Sequence, residues 1–221
     1  MPVSRATAPL VLPGRYRAAI FDMDGLLLDT EPLWHDAERE LLARHGHTFT
    51  DADIEASHGR ALSDIAQLYA ARLGLPAAAI ELEIGEIMLA HYVAGAPLQP
   101  GAGELVGALA GRVRMAVASN TSARFVRPAL DASGLGALEL VVSGQDLGRP
   151  KPAPDVYLAA CRGLGVAPED SIAFEDSPTG VRSAREAGLT VVGIPERHEV
   201  DLLAAGADLV LGSLLDVAVE P

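Results

Sequence analysis

Short apolar runs separated by helical patterns recur along this chain. Runs rich in Val, Ile, Leu and Ala predict strands near residues 18–23, 113–119, 138–143, 171–175, 190–194 and 208–211. Helical patterns lie between most of them, near residues 103–110, 122–132, 154–164, 178–187 and 200–205. Strands that alternate with helices predict an α/β fold with a doubly wound, Rossmann-like parallel sheet covered on both faces. Such sheets place their sites at the carboxyl ends of the strands.

The alternation is interrupted between residues 29 and 96, where we expect helices and no strand. Pro32 suits the first position of a helix over residues 33–44. Two further helices are predicted by apolar residues that share a face, which are Leu62, Ile65, Tyr69 and Leu73 in one and Ile80, Ile84 and Ile87 in the other. We therefore expect an α-helical cap over residues 29–96, inserted into an α/β core of residues 16–28 and 97–221. Residues 1–15 are expected to form an N-terminal tail.

The most informative motif is the run Phe21-Asp22-Met23-Asp24-Gly25, which follows the first apolar run. Two carboxylates at the end of a buried strand repel each other unless a cation neutralises them. Mg²⁺ is the natural partner, because it prefers oxygen ligands. A carboxylate held beside Mg²⁺ can attack phosphorus as a nucleophile, and the second carboxylate can act as acid and base. A strand that runs into an ordinary Asp-Gly turn explains the same residues about equally well.

Three further polar motifs follow predicted strands. Ser119 and Asn120 offer a hydroxyl and helix-start amides that suit phosphate oxygens, although a Ser/Thr helix cap explains them as well. Lys151 lies between two prolines that restrict its backbone, so that its ammonium can offset carboxylate and phosphate charge. A solvated lysine in a proline-rich loop is the alternative. Glu175 and Asp176 end an apolar strand, where adjacent acids are costly without a counter-ion.

The four motifs in this order, each at the end of a predicted strand, resemble those of the haloacid dehalogenase superfamily of aspartyl-phosphate hydrolases. The resemblance extends from residue 16 to the last predicted strand. The helical insertion after the first motif is similar to that of the subgroup containing β-phosphoglucomutase and small sugar-phosphate phosphatases.

The resemblance implies a role for each motif residue. Asp22 would be the nucleophile and a Mg²⁺ ligand, and Asp24 the general acid/base, whose backbone carbonyl also binds the metal. The remaining implied roles are phosphoryl binding by Ser119 and the Asn120 amide, charge neutralisation by Lys151, and metal binding by Glu175 and Asp176. We therefore expect a Mg²⁺-dependent phosphatase that acts on small phosphorylated sugars or related metabolites.

Two rival enzymes share this scaffold. Asp24 favours phosphate chemistry over carbon–halogen cleavage, because dehalogenase members lack an aspartate two positions after the nucleophile. A β-phosphoglucomutase-type mutase is the remaining alternative, but it has a cap histidine where this chain has Trp34 and an arginine where it has Leu62. Trp34, His58 and Arg60 are the candidates for substrate contact in the cap. Packing within the cap is the alternative for Trp34, and a solvated loop for the other two.

Composition narrows the partners. The net charge of −13 argues against a nucleic-acid backbone or an anionic membrane surface as partner. No apolar run approaches the roughly 18 residues that span a bilayer. Binding alone does not need an acid/base such as Asp24, which argues against a metabolite sensor without catalytic activity. We expect a cytoplasmic, monomeric enzyme whose partner is a small phosphorylated metabolite.

Overall fold

The computed structural model describes residues 10–57, 60, 62–195 and 200–220. The strands are β1 (Leu10–Leu12), β2 (Ala18–Phe21), β3 (Arg114–Ser119), β4 (Leu140–Ser143), β5 (Ser171–Glu175), β6 (Thr190–Gly193), β7 (Leu209–Val210) and β8 (Val217–Val219). The α-helices are α1 (Glu31–Arg44), α2 (Asp51–Ser57), α3 (Leu62–Leu73), α4 (Ala77–Ala94), α5 (Ala102–Leu109), α6 (Ala123–Ala132), α7 (Asp155–Leu164), α8 (Pro178–Glu186) and α9 (Leu202–Ala205).

A six-stranded parallel sheet forms the centre of the fold, with the strand order β4-β3-β2-β5-β6-β7. Side chains of β2 alternate between two hydrophobic clusters: Ala19 and Phe21 join one, and Ala18 and Ile20 join the other. The sheet is therefore buried on both faces, as an all-parallel sheet requires. This architecture confirms the predicted doubly wound α/β fold, and β2 lies between β3 and β5.

Helices α1 to α4, called the helical segment below, lie between β2 and α5 along the chain. Their buried residues include Ile65, Tyr69 and Ile84, three of the positions that the periodicity placed on shared faces. The segment reaches the rest of the fold through α4, which packs against α6. The division of the chain into a tail, a core and a cap stays a prediction. Among the helices of the described ranges, none has the length and apolarity that crossing a membrane requires.

Helix α2 was not predicted from the sequence. Its residues Asp51–Ser57 are mostly polar and carry no apolar repeat, so periodicity gives no signal. Polar contacts hold it instead, because the Asp53 carboxylate accepts hydrogen bonds from Thr50 N (2.8 Å) and from Arg72 Nη1 (2.6 Å).

Residues 10–12, within the segment expected to form an N-terminal tail, form strand β1. Strand β1 pairs in parallel with β8, with Leu10 opposite Val217 and Leu12 opposite Val219. Leu12 is buried, and its burial anchors the strand. Both strands are three residues long, too short for an alternating pattern to stand out in the sequence.

Candidate active site

The carboxyl ends of β2, β3 and β5 meet at one edge of the sheet. Phe21, the last residue of β2, lies opposite Val117 of β3 and Phe174 of β5. This register places Asp22 beside the ends of both neighbouring strands, where Ser119 and Glu175 lie. The loop before α7 brings Lys151 to the same place, since its side chain contacts Asp22 and Glu175. The structure therefore brings together all four motifs that the sequence placed at strand ends.

Lys151 bridges two buried carboxylates. Its Nζ donates hydrogen bonds to Asp22 Oδ1 at 2.5 Å and to Glu175 Oε1 at 2.6 Å. The lysine side chain is only 4% exposed, and that of Glu175 is fully buried. Buried carboxylates are tolerated when a cation pairs with them. The solvated-lysine alternative is therefore wrong for Lys151.

Burial and charge oppose each other at this pair. Burial raises the pKa of Asp22 to about 8, against the attraction of Lys151 and with the help of the neighbouring carboxylates Glu175 and Asp24. Burial alone would lower the pKa of Lys151, but Asp22 and Glu175 together raise it above its usual value. The lysine therefore keeps its charge at neutral pH, and Asp22 holds a proton unless a further cation binds.

Asp24 has different surroundings from Asp22. Its Oδ2 accepts hydrogen bonds from the hydroxyls of Thr121 at 2.9 Å and Ser119 at 3.3 Å. Its Oδ1 accepts one from the Tyr92 hydroxyl at 3.2 Å, which reaches it from α4. Asp22 therefore faces a cation, whereas Asp24 faces hydroxyl groups. Two carboxylates in such different environments are suited to different chemical roles.

The Asn120 side chain holds the backbone of Lys151. Asn120 Oδ1 accepts a hydrogen bond from Lys151 N at 2.7 Å, and Asn120 Nδ2 donates one to Lys151 O at 3.3 Å. These two contacts fix the lysine loop to the end of β3. Asn120 thus positions Lys151 through its side chain, and phosphate binding by its backbone amide stays a prediction.

Glu175 is held on both sides. The Tyr157 hydroxyl donates a hydrogen bond to Glu175 Oε1, the oxygen that Lys151 also contacts. On the other side, a Cβ atom at Gly180 would lie 1.9 Å from Glu175 Oε2. Ser177 caps helix α8, because its Oγ accepts a hydrogen bond from Gly180 N at 3.1 Å. The first turn of α8 therefore lies directly against the Glu175 carboxylate. Only a glycine fits at position 180 without displacing Glu175.

Three carboxylates form a group that could hold a metal ion. One oxygen from each of Asp22, Glu175 and Asp176 lies within 4.8 Å of the other two. Carboxylate oxygens are the donors that hard divalent cations prefer. Asp24 lies outside this group, which is compatible with the role expected for its backbone carbonyl rather than its side chain.

A cleft of about 190 Å³ leads from Asp24 into the helical segment. Trp34 and Arg60, two of the three predicted substrate contacts, both line it. Trp34 also packs against the hydrophobic core, so packing and contact with the cleft coexist at this residue. His58 lies outside the described residues.

Four residues of the site were not assigned a role from the sequence: Tyr92, Thr121, Tyr157 and Gly180. Thr121 follows Ser119-Asn120 directly, and Gly180 lies four residues after Asp176, so both were close to a recognised motif. Tyr92 and Tyr157 lie within helices, where nothing in the local sequence shows which carboxylate they reach.

A protein-family model matches the part of the chain that carries the site residues described above. The model of haloacid dehalogenase-like hydrolases matches residues 16–188. Validoxylamine A 7'-phosphate phosphatase of Streptomyces hygroscopicus subsp. limoneus is 31% identical over 205 residues, 91% of this chain and 96% of that protein. Fructose-1-phosphate phosphatase YqaB of Escherichia coli (strain K12) is 34% identical over 186 residues, 81% of this chain and 97% of that protein. The crystal structure of CbbY from Rhodobacter sphaeroides in complex with phosphate has a TM-score of 0.80 and 28% identity, and the match covers 92% of this chain and 97% of that one.

The contact between Gly180 and Glu175 predicts an unusual effect of a Gly→Ala change in a helix. Alanine normally stabilises a helix by about 0.5–1 kcal/mol relative to glycine. We expect Gly180→Ala to lower the free energy of unfolding by about 1–3 kcal/mol instead, because its methyl group displaces Glu175. Urea denaturation measures the change. Gly107→Ala in α5 is the matched control, since a Cβ there meets nothing within 4 Å and should stabilise the fold. Equal stability of the two variants would contradict the prediction.

The raised pKa of Asp22 predicts pH-dependent binding of a divalent cation. Below about pH 8 the Asp22 carboxyl holds a proton that a metal ligand must release. The affinity for Mg²⁺ should therefore rise between pH 6 and pH 8, by up to about tenfold per pH unit. Calorimetric titration in two buffers of different ionisation enthalpy measures both the affinity and the released proton. An affinity that stays constant over this range, with no proton release, would show that Asp22 does not control metal binding.

Proposed function

The chain belongs to the haloacid dehalogenase-like hydrolases, and on that premise we propose that it is a Mg²⁺-dependent phosphatase of small phosphorylated sugars or related metabolites. It acts through an aspartyl-phosphate on Asp22. The observation that carries the proposal is the contact of Lys151 with Asp22 and Glu175. Asp24, two residues after Asp22 in the sequence, faces an open cleft. Both relatives described above are named as phosphatases, one of validoxylamine A 7'-phosphate and one of fructose-1-phosphate, which supports hydrolysis of a small phosphate ester.

The first half-reaction transfers the phosphoryl group to the protein. A carboxylate oxygen of Asp22 attacks phosphorus, and the bond between phosphorus and the ester oxygen breaks. Asp24 donates its proton to the leaving oxygen, so the product departs as a neutral alcohol. Lys151, the Ser119 hydroxyl and the Asn120 amide stabilise the charge on the transferred group, which is the main task of a protein in phosphoryl transfer.

The second half-reaction returns the protein to its starting state. Asp24, now ionised, takes a proton from a water molecule whose oxygen attacks phosphorus. The bond between phosphorus and Asp22 breaks, and inorganic phosphate leaves. The hydroxyls of Tyr92 and Thr121 hold the Asp24 carboxyl in place for both proton transfers.

The donor set fits Mg²⁺. Asp22, Glu175 and Asp176 would supply carboxylate oxygens, the Asp24 backbone carbonyl would supply a further oxygen, and all of these are hard donors. When bound, the ion supplies positive charge that offsets the phosphate oxygens and the crowded carboxylates. We further propose that the helical segment acts as a cap that limits the entry of water, with Trp34 and Arg60 contacting the substrate.

Aspartate variants test the catalytic roles. With Mg²⁺, the protein should release phosphate from at least one member of a panel of sugar phosphates. Asp22→Asn removes the nucleophile and Asp24→Asn the acid/base, so each should reduce kcat by about 10²-fold or more. Asp131→Asn is the matched control, because this aspartate lies on the surface of α6 and is 58% exposed. Release of no phosphate from any ester of a broad panel would refute the proposal.

The mutase alternative predicts a different product. A mutase would convert β-glucose 1-phosphate into glucose 6-phosphate, whereas the proposed phosphatase releases inorganic phosphate. Coupled detection of both products in one assay separates the two activities.

A further inference from the structure

The linker that leaves the helical segment is bonded to the turn that carries Asp24. Residues 95–101, called the return linker below, connect α4 to α5. Leu98 of this linker pairs with Leu28 in an antiparallel bridge, and Leu28 itself pairs with Asp24. The residue after Leu98 donates its backbone N–H to Leu27 O at 2.9 Å. The return linker therefore holds the turn in which Asp24 lies.

The return linker also follows α4, the helix that carries Tyr92. The Tyr92 side chain is buried, and its hydroxyl donates a hydrogen bond to Asp24 Oδ1 at 3.2 Å. One end of the linker adjoins the helix of the donor, and its middle pairs with the turn of the acceptor. Because hydrogen bonds weaken steeply when their length or angle changes, a displaced linker would disturb the contact between Tyr92 and Asp24.

A short turn from the other end of the chain packs against the return linker. It is the 3₁₀ turn Leu214–Asp216, called the terminal turn below, and Ser213 is its N-cap. Ser213 Oγ donates a hydrogen bond to Pro100 O at 3.1 Å. A Cβ atom at Gly101 would lie only 2.5 Å from Leu215 N, so the two backbones are in direct contact. The terminal turn lies after residue 188, where the match to the family model ends.

Strands β1 and β8 anchor the terminal turn. Strand β8 begins directly after the turn and pairs with β1. Leu214 of the turn and Leu12 of β1 are buried, and Glu220 N donates a hydrogen bond to Leu12 O at 2.6 Å. Helix α5 packs against both the turn and β8. The terminal turn is therefore attached to the fold through elements outside the helical segment.

We propose that the terminal turn is a positioning element for the acid/base Asp24, with Ser213 and Gly101 as positioning residues. By holding the return linker, the turn keeps Tyr92 and Asp24 in the geometry in which Asp24 protonates the leaving oxygen. This inference rests on the proposed function and adds to it residues that act through the backbone of the linker. A misplacement of about 1 Å by a change far from the reaction can lower a rate by about 10²-fold, so such support matters.

The test compares kcat/KM, with Mg²⁺, for p-nitrophenyl phosphate and for the sugar phosphate of the panel that the wild-type protein hydrolyses best. p-Nitrophenolate leaves without a proton, whereas a sugar alkoxide needs the proton of Asp24. Gly101→Ala forces the linker away from the terminal turn, so it should lower kcat/KM for the sugar phosphate about tenfold more than for p-nitrophenyl phosphate. Gly111→Ala is the matched control, because Gly111 also has a positive φ but a Cβ there meets nothing within 4 Å.

Asp24→Asn separates the inference from the proposed function, because it removes the proton donor itself. If Asp24→Asn is selective for the sugar phosphate but Gly101→Ala lowers both esters equally, or Gly111→Ala is as selective as Gly101→Ala, the inference is overturned and the proposed function stands. Equal losses in Asp24→Asn, or a wild-type protein that hydrolyses no ester, would overturn both. If Gly101→Ala fails to fold, Ser213→Ala replaces it and should give a selective loss of about threefold. An equal loss on both esters in Ser213→Ala would then overturn the inference.

Discussion

The buried contact of Lys151 with Asp22 and Glu175 is the interaction on which the rest of the site depends. It joins the end of β2 to the end of β5 and offsets part of the cost of burying two carboxyl groups together. The neighbouring groups serve this contact: Asn120 fixes the lysine backbone, and Tyr157 fixes Glu175. Asp22, Lys151 and Glu175 are therefore each held by a partner on another part of the fold.

The same arrangement separates the two aspartates of the first motif. Asp22 directly follows β2 and contacts the Lys151 ammonium group. Asp24 lies in the following turn and accepts a hydrogen bond from the Tyr92 hydroxyl of α4. The proposed nucleophile and the proposed acid/base need different environments, and a separation of two residues along the chain suffices to supply them. Because Tyr92 belongs to the helical segment, that segment contributes both to the environment of Asp24 and to the cleft that would select the substrate.

The central sheet and the meeting of the motifs at one of its edges could be predicted from the sequence, because both follow from local patterns. Apolar runs mark buried strands, and parallel strands necessarily gather their carboxyl ends, so the neighbourhood of Asp22, Ser119 and Glu175 could be expected. Strand β1 and helix α2 were not predicted. The strand has only three residues and the helix is mostly polar, so neither carries a periodic apolar signal. Tyr92 and Tyr157 were not predicted for another reason: in a helix, only the packing of the whole fold decides which polar side chain reaches the site.

The strand order has a consequence for how the protein is made. Lys151 follows Asp22 by 129 residues, and Glu175 follows later still, yet β2 lies between β3 and β5 in the sheet. A chain emerging from the ribosome therefore presents its acidic pair long before the cation that balances it. Pairing over such separations is slow and comes late in folding. The edge of the sheet that carries the candidate site is therefore complete only after β5 has been synthesised and has joined β2.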